Sequence, residues 1–227
     1  MSKLLSSVGF LHSAYCDSWE SVGCFVNSAY YSFEELREIG FASFGQDVRI
    51  SRKCSIYGAE KMSIGSHVRI DDFCILSGRI QIGNFVHISA WCGLYGRFGI
   101  EIGNFCGVSP RSTLFSATDD FSGAAMISPM VPENLVKLTA GEIRLRDYSQ
   151  VGADSVVMPA VTFEEGAVCG AFSFVNRSLD AWSINVGIPC KFLKVRFKRA
   201  KELSLLIEED EKKRHENQCV NVGGGTT

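Results

Sequence analysis

Apolar residues recur at every sixth position between Phe44 and Asp180, and a small or β-branched residue follows most of them four places later. The pattern is clearest in three stretches, which open at Ile64, Ile82 and Ile102. Each continues with an apolar residue six and twelve places on: Ile70 and Leu76, Ile88 and Leu94, and Val108 and Leu114. Self-similarity at a fixed period is typical of solenoid proteins, in which each repeat packs on the next.

A six-residue period predicts a short strand followed by a corner, and three such units make one triangular coil. Successive coils then stack in parallel, about 4.8 Å apart. The apolar residue that opens a unit points inward. The residue four places later also points inward, but near a corner where only small or β-branched side chains fit. A helix is disfavoured because its period is 3.6 residues. The predicted corner positions are Val48, Cys54, Val68, Cys74, Val86, Cys92, Cys106, Ser112, Ser149, Ser155, Val161, Ala167 and Ser173.

This register predicts an all-β solenoid, a parallel β-helix of about six triangular coils over residues 44–190. The period fails over residues 115–144, a stretch too long to form a corner. We interpret that stretch as a projecting loop, and long loops on rigid scaffolds are frequently functional. The coils are predicted to open near Phe44, Ile64, Ile82, Ile102, Leu145 and Phe163.

Residues 1–43 precede the repeat and are predicted to form an N-terminal extension and a capping helix. The first 28 residues show no period, and we expect them to be weakly ordered. Ser32 and Glu35 have the spacing of a capping box, which predicts a helix over 33–39 that ends at Gly40. This helix is expected to cover the open end of the solenoid, where a sheet edge would otherwise be exposed.

Residues 191–227 follow the repeat. They are predicted to form a short strand, an amphipathic helix over 197–215 that is rich in Lys, Glu and Leu, and a disordered tail from Gly223.

Composition and charge exclude only a few classes of function. A net charge of −2 gives no general argument for a nucleic acid or an anionic membrane as partner. The nine cysteines form no CxxC pair and no zinc-like spacing, so we interpret them as buried, reduced thiols in a reducing compartment, the cytoplasm. No apolar stretch is long enough for a transmembrane helix, and the first 28 residues lack the apolar core of a secretory signal.

The hexapeptide repeat, the loop after the fourth coil and the sequence from Gly187 to Lys191 resemble the left-handed β-helix acyltransferases of the hexapeptide-repeat superfamily. The resemblance covers roughly residues 44–196. It implies a left-handed solenoid, acetyl-CoA as cosubstrate, no metal, and a homotrimer in which the coenzyme lies along a groove between two neighbouring solenoids.

Three shorter stretches resemble a narrower family, the dTDP-4-amino-4,6-dideoxyglucose N-acetyltransferases of bacterial O-antigen synthesis. They are residues 30–41, 70–78 and 116–123. The resemblance implies an N-acetyltransferase that acts on a nucleotide-linked amino-deoxysugar for O-antigen or surface polysaccharide synthesis. It also implies that the sugar binds near the projecting loop.

Acyl transfer from a thioester needs a nucleophile, a proton acceptor and a donor for the oxyanion. Sugar O-acetyltransferases of the superfamily usually carry a histidine base in the projecting loop, but here Asp119 and Asp120 stand in its place, and no histidine lies between His87 and His215. A neutral amine is already nucleophilic, so a carboxylate that accepts its proton is sufficient. The substitution therefore favours N-acylation, by direct attack of the amine on the thioester.

We expect Asp119, Asp120 or both to contact the sugar amine. As neighbours, the two carboxylates are also expected to raise each other's pKa. The alternative is that they are turn residues that bond their own backbone.

His87 is the alternative proton acceptor, in which case the protein would be a sugar O-acetyltransferase. Both His87 and His67 are equally explained as surface or corner residues of the solenoid. A zinc enzyme on this scaffold is disfavoured, because about three histidines must converge on the metal and only these two lie in the repeat. A non-catalytic scaffold subunit is a further alternative.

The resemblance also suggests where the coenzyme binds. Small residues at Gly152, Ala153, Gly170 and Ala171 would let a pantetheine arm approach the backbone and bond its amides. Corner packing alone is an equally good reason for small residues there. Gly187, Ile188 and Pro189 form the ending typical of the superfamily. Beyond it, Lys191, Lys194 and Arg196 suit the coenzyme phosphates, unless they are simply a solvated basic strand.

Overall fold

The computed structural model of the chain describes residues 29–222 and shows a parallel β-solenoid with a helix at each end. The expectations for residues 1–28 and 223–227 lie outside the described residues. Within the described part, no helix is long and apolar enough to cross a membrane.

The strands form three faces, which we number in the order in which the chain visits them. Face 1 contains β1 (Ser43–Phe44), β4 (Met62–Ile64), β13 (Ile143–Leu145), β16 (Thr162–Phe163) and the ends of β6 (Ile75–Ile82) and β8 (Gly93–Ile102). Face 2 contains β2 (Val48–Ile50), β5 (Val68–Ile70), β7 (His87–Ile88), β9 (Gly107–Val108), β14 (Gln150–Val151), β17 (Val168–Cys169), β19 (Ser183–Val186) and β20 (Lys191–Val195). Face 3 contains β3 (Ser55–Tyr57), the starts of β6 and β8, β10 (Thr113–Phe115), β15 (Val156–Val157) and β18 (Phe174–Val175).

Strand pairing confirms the predicted register. The predicted coil openings are partners in parallel ladders: Phe44 with Ile64, Ile64 with Ile82, Ile82 with Ile102, Ile102 with Leu145, and Leu145 with Phe163. Phe163 also bridges Leu179 in parallel. On face 2, β20 reverses direction and pairs antiparallel with β19.

The predicted inward positions form the core. The opening residues from Ile64 to Phe163 are at most 5% exposed, and so is every corner position from Val68 to Ser173. Only the first coil is less complete, where Val48 and Cys54 are half-buried. The described cysteines are free thiols, and burial raises the pKa of Cys106 to about 12.

A polar ladder runs along the first edge, the corner between faces 1 and 2. The backbone amide of Ser66 donates to Asn84 Oδ1 at 2.7 Å, that of Asn84 to Asn104 Oδ1 at 2.8 Å, and that of Asn104 to Asp147 Oδ1 at 2.7 Å. The glycine before each asparagine leaves room for the next coil, since a Cβ at Gly83 would lie 2.8 Å from Asn104 Oδ1. The repeated Ile-Gly-Asn sequence is therefore a corner that satisfies its own backbone.

Next to this ladder, aromatic side chains stack at corner positions with left-handed backbone. The rings of His67, Phe85, Phe105, Tyr148 and Trp182 follow one another at centroid distances of 4.8 to 5.8 Å. The helix α2 (Arg199–Val222) lies against this stack. Ser204 Oγ is 2.8 Å from Tyr148 Oη, and Glu211 Oε1 is 2.8 Å from His67 Nε2.

The helix α1 (Phe33–Ile39) has the predicted capping box and ends at Gly40 in left-handed conformation. It packs on the first coil through the buried side chain of Leu36 and an ion pair of 2.6 Å between Glu35 and Arg52.

The predicted loop leaves the solenoid after β10 and returns at β13. Its stem is an antiparallel hairpin, which the sequence analysis did not predict, between β11 (Ala117–Asp119) and β12 (Leu138–Ala140). The third edge, between faces 3 and 1, therefore carries this hairpin directly below the bulge at residues 96–99.

Replacing Asn104 with alanine should lower the free energy of unfolding by about 1 kcal/mol, because the amide of Asn84 loses its acceptor. Chemical denaturation measures the change. Asn104→Asp is the matched control and should be close to wild type, since Asp147 fills the same role one coil further on. Equal destabilisation by both variants would contradict the ladder.

Candidate active site

A cavity of about 640 Å³ opens between the solenoid and the projecting loop; we call it the loop pocket. One wall comes from the first part of β8, including its bulge, and from the end of β10. The other comes from the hairpin stem and the distal part of the loop. The lining residues are Tyr95, Arg97, Phe98, Phe115, Ala117, Thr118, Asp119, Ser128, Pro129, Val131, Glu133, Val136 and Leu138.

The solenoid wall of the pocket is aromatic and fixed in place. The rings of Tyr95 and Phe115 lie in register on adjacent coils, 5.2 Å apart and nearly parallel. The hydroxyl of Ser116 donates to the carbonyl of Tyr95 at 2.8 Å and accepts from the amide of Phe98 at 2.9 Å. The wall is therefore held by hydrogen bonds before any ligand binds.

Three charged side chains line the pocket: Arg97, Asp119 and Glu133. Arg97 Nη2 lies 3.5 Å from Glu133 Oε1, and both side chains are mostly exposed. No histidine is among the described residues that line the pocket, so Asp119 and Glu133 are the proton acceptors that these residues offer near neutral pH. Of these two, Asp119 sits on the hairpin stem and Glu133 on the distal loop.

The structure separates the two predicted aspartates. Asp119 is the last residue of β11 and faces the loop pocket. Asp120 begins a turn and accepts hydrogen bonds from the Ser122 hydroxyl at 2.8 Å, the Ser122 amide at 3.1 Å and the Ala124 amide at 3.0 Å. These bonds lower the pKa of Asp120, so the expected mutual rise of the two pKa values is wrong for Asp120. Asp120 has the local turn role that was the alternative.

His87 lies on the outside of face 2, away from the residues that line the loop pocket. Its Nε2 is 2.8 Å from Asp71 Oδ2, and Arg69 Nε bonds the other oxygen of Asp71 at 2.7 Å. The next residue in register is Gly107, where an added Cβ would touch only Gln150, at 3.8 Å. His87 is therefore an oriented and accessible imidazole. His67 instead bridges Asp47 and Glu211 and belongs to the packing of α2.

The predicted coenzyme residues stack down the second edge, the corner between faces 2 and 3. The amide of Gly152 donates to the Cys169 carbonyl at 2.9 Å, and that of Gly170 donates to the Asn185 carbonyl at 2.8 Å. Because these two amides already hold successive coils together, the expected bond to the coenzyme or its oxyanion fits them poorly. A Cβ at residue 152 would collide with the backbone of Gly170, which explains why this position is a glycine.

The rest of this edge remains a prediction for coenzyme binding. Ala153 and Ala171 follow the two glycines on the outer turn, and Gly187 accepts from the amide of Phe174 at 3.0 Å. Ile188 is 77% exposed before a cis bond to Pro189. Lys191 and Lys194 lie exposed on β20.

Arg196 has a structural contact instead. Its Nη1 donates to the carbonyls of Tyr148 at 2.6 Å and Gly166 at 3.0 Å, and desolvation lowers the pKa of its guanidinium. This bonding ties the segment after β20 to the first edge. It directs that nitrogen away from solvent, so the predicted phosphate contact fits Arg196 less well than the two lysines.

Arg97, Tyr95, Phe115 and Glu133 were missed as pocket residues by the sequence analysis. A signal for Arg97 was present, because the step from Ile82 to Ile102 is two residues longer than the period and Arg97 lies in that insertion. Glu133 gave no signal. Among the described residues, no group of three or more His, Cys, Asp or Glu could hold a metal ion.

Comparison with known proteins relates the chain to sugar acyltransferases, although a scan against models of protein families finds no match. The dTDP-4-amino-4,6-dideoxy-D-glucose acyltransferase of Escherichia coli is 37% identical over 183 residues, which cover 79% of this chain and 95% of the relative. AntD, an N-acyltransferase from Bacillus cereus, was solved in complex with dTDP and 3-hydroxybutyryl-CoA. It matches with a TM-score of 0.80 and 43% identity, over 81% of this chain and 98% of AntD.

A variant of AntD was solved in complex with dTDP-4-amino-4,6-dideoxyglucose and coenzyme A. It matches with a TM-score of 0.79 and 42% identity, over 82% of this chain and all of that chain. The hexapeptide solenoid, its loop pocket and these relationships define the protein as an acyltransferase of the hexapeptide-repeat class. Within that class it belongs to the dTDP-4-amino-4,6-dideoxy-D-glucose acyltransferase family, which confirms the narrower resemblance.

Replacing Asp120 with alanine should speed hydrogen exchange at the amide of Ser122, which loses its acceptor, and to a smaller extent at that of Ala124, which keeps Ser122 Oγ at 3.3 Å. The lowered pKa also sets a pH window. The hydrogen bonds of the ionised carboxylate stabilise the turn fully above pH 3.8, the ordinary pKa of an aspartate. This stabilisation is lost as the pH falls through the lower pKa of Asp120 in the folded protein. Nuclear magnetic resonance measures both effects. Asp120→Asn keeps one acceptor oxygen and should change exchange less. Unchanged exchange in Asp120→Ala would contradict the assigned role.

Proposed function

We propose that the protein transfers the acetyl group of acetyl-CoA to the amine of a dTDP-linked 4-amino-4,6-dideoxyglucose. The observation that carries the proposal is the loop pocket, in which a carboxylate on a fixed strand, Asp119, faces a cavity whose described lining contains no histidine. The relative from Escherichia coli and the ligands of AntD support this class of acceptor.

The loop pocket suits a nucleotide-linked sugar in size and chemistry. Its volume of about 640 Å³ lies within the usual range for small-molecule sites. Tyr95 and Phe115 offer apolar surface to a base or a deoxysugar. Arg97 supplies a cation for the diphosphate, and the guanidinium geometry suits phosphate oxygens.

Asp119 is proposed to accept the proton of the sugar amine. The neutral amine attacks the thioester carbonyl, the nitrogen–carbon bond forms, and the tetrahedral intermediate expels the coenzyme thiolate. The nitrogen loses one proton in the process, and the thiolate gains one. An amine needs a proton acceptor but no strong base, so the weakly basic carboxylate of Asp119 is sufficient.

The coenzyme is proposed to lie along the second edge, with Lys191 and Lys194 near its phosphates. This edge and the loop pocket lie at opposite ends of face 3, so we propose that a neighbouring subunit of a homotrimer brings its own edge to the pocket. Exposed apolar side chains on the projecting loop support a subunit contact there, since Phe121 and Met130 are both 89% exposed. The protein is proposed to act in the cytoplasm, in O-antigen or surface polysaccharide synthesis.

A second candidate is O-acetylation of a sugar with His87 as base. The observation that favours it is the hydrogen bond between His87 and Asp71, which is the usual way to orient a catalytic imidazole. The two candidates depend on different proton acceptors, His87 and Asp119, so substitutions at these two residues distinguish them.

Incubation with acetyl-CoA and a panel of dTDP-linked sugars should release free thiol with 4-amino acceptors and not with the matched 4-hydroxy sugars. Mass spectrometry of the product should show one added acetyl group on nitrogen. Turnover on the hydroxy sugars alone would reject N-acylation and favour the second candidate.

Replacing Asp119 with asparagine should lower kcat about 100-fold or more, because the amine loses its proton acceptor in the transition state. Asp120→Asn is the matched control on the neighbouring residue, and kcat should fall less than about tenfold, because Asp120 faces its own turn. Steady-state kinetics on the amino sugar measures both. A large loss in His87→Ala with a mild effect of Asp119→Asn would contradict the assignment.

A further inference from the structure

The backbone of Phe98 is held from both limbs of the projecting loop. Its amide donates to Ser116 Oγ at the start of the outgoing limb. Its carbonyl accepts from Arg79 Nη2 at 3.0 Å. The other terminal nitrogen of Arg79, Nη1, lies 3.1 Å from Oε1 of Glu142, which ends the returning limb. One residue of the solenoid bulge is thus joined to both ends of the loop.

The local sequence is built around the Arg79 guanidinium. Gly99 has a positive φ of 108°, and a Cβ there would collide with Arg79 Nη2. Glu142 is mostly buried, with 20% of its side chain exposed, and Arg144 pairs with its other oxygen. Because a guanidinium presents its N–H groups in a rigid fork, one arginine can bond a carbonyl and a carboxylate at a fixed distance.

We propose that Arg79 is a positioning residue for the acceptor substrate, acting through Glu142 and the Phe98 carbonyl. Phe98 and Arg97 belong to the solenoid wall of the loop pocket, and Asp119 lies on the hairpin whose returning strand ends just before Glu142. Arg79 does not line the pocket itself. It sets the distance between the wall that binds the nucleotide sugar and the strand that carries the proton acceptor. This inference rests on the proposed function of the pocket.

Arg79→Gln should raise KM for the dTDP-linked amino sugar about tenfold, which is the effect of losing one charge-assisted hydrogen bond. KM for acetyl-CoA and the thermal midpoint should change little. Arg144→Gln is the matched control, since Arg144 pairs with the same Glu142 but has no bond to Phe98. Arg79→Lys keeps the charge but not the fork, and its KM should lie between wild type and Arg79→Gln.

A double-mutant cycle with Glu142 makes the test specific. Glu142→Gln should raise KM like Arg79→Gln, because it weakens the same contact from the other side, and the double variant should be no worse than either single one. A general loss of stability would instead make the two effects add. Equal KM values in Arg79→Gln and Arg144→Gln, or additive effects in the cycle, would overturn the inference.

Hydrogen exchange at the Phe98 amide, which donates to Ser116 Oγ, reports without substrate whether the bulge loosens when Arg79 no longer holds the Phe98 carbonyl. It should quicken in Arg79→Gln and stay unchanged in Arg144→Gln, and no difference between the two would overturn the inference. Calorimetry with dTDP on the wild-type protein distinguishes failure of the Arg79 inference from failure of the proposed function. Absence of dTDP binding would count against the proposed nucleotide site, and with it against any role of Arg79 in binding. Normal dTDP binding together with an unchanged KM in Arg79→Gln would count against Arg79 alone.

Discussion

The structure depends on one constraint: each coil must place its backbone and its inward side chains directly over those of the coil before it. Parallel ladders satisfy the backbone, and the apolar openings from Ile64 to Phe163 stack in one buried column. At the first edge, asparagine side chains accept the amides of the coil before them. A slip of one residue would turn every inward side chain outward, so the register is strongly determined.

This constraint explains why the fold could be predicted and the pocket only in part. A stacked column imposes the same residue type at the same spacing, which a single sequence displays openly. The loop imposes no period, so the sequence shows that it exists but not that its ends pair as a hairpin. Arg97 and Glu133 meet across 3.5 Å only because that hairpin folds back over the solenoid. Their contact depends on the tertiary structure and leaves no local pattern in the sequence.

The misplaced site residues have a common physical origin. Asp119 and Asp120 are neighbours, but one ends a strand and the other begins a turn, so their side chains go to a cavity and to local amides. Gly152 and Gly170 are small because adjacent coils approach closely, and their amides bond the next coil. Arg196 follows a basic strand but turns to two corner carbonyls. For all of these residues except Asp119, hydrogen bonding within the chain's own backbone engages the group that the sequence offered to a ligand.

The rigid solenoid and the anchored loop together give the proposed chemistry its geometry. The most direct measurement is a crystal structure of the protein with dTDP-4-amino-4,6-dideoxyglucose and coenzyme A. We expect the sugar in the loop pocket, with its amine about 3 Å from a carboxylate oxygen of Asp119. An amine bound beside His87, with Asp119 left in solvent, would contradict it.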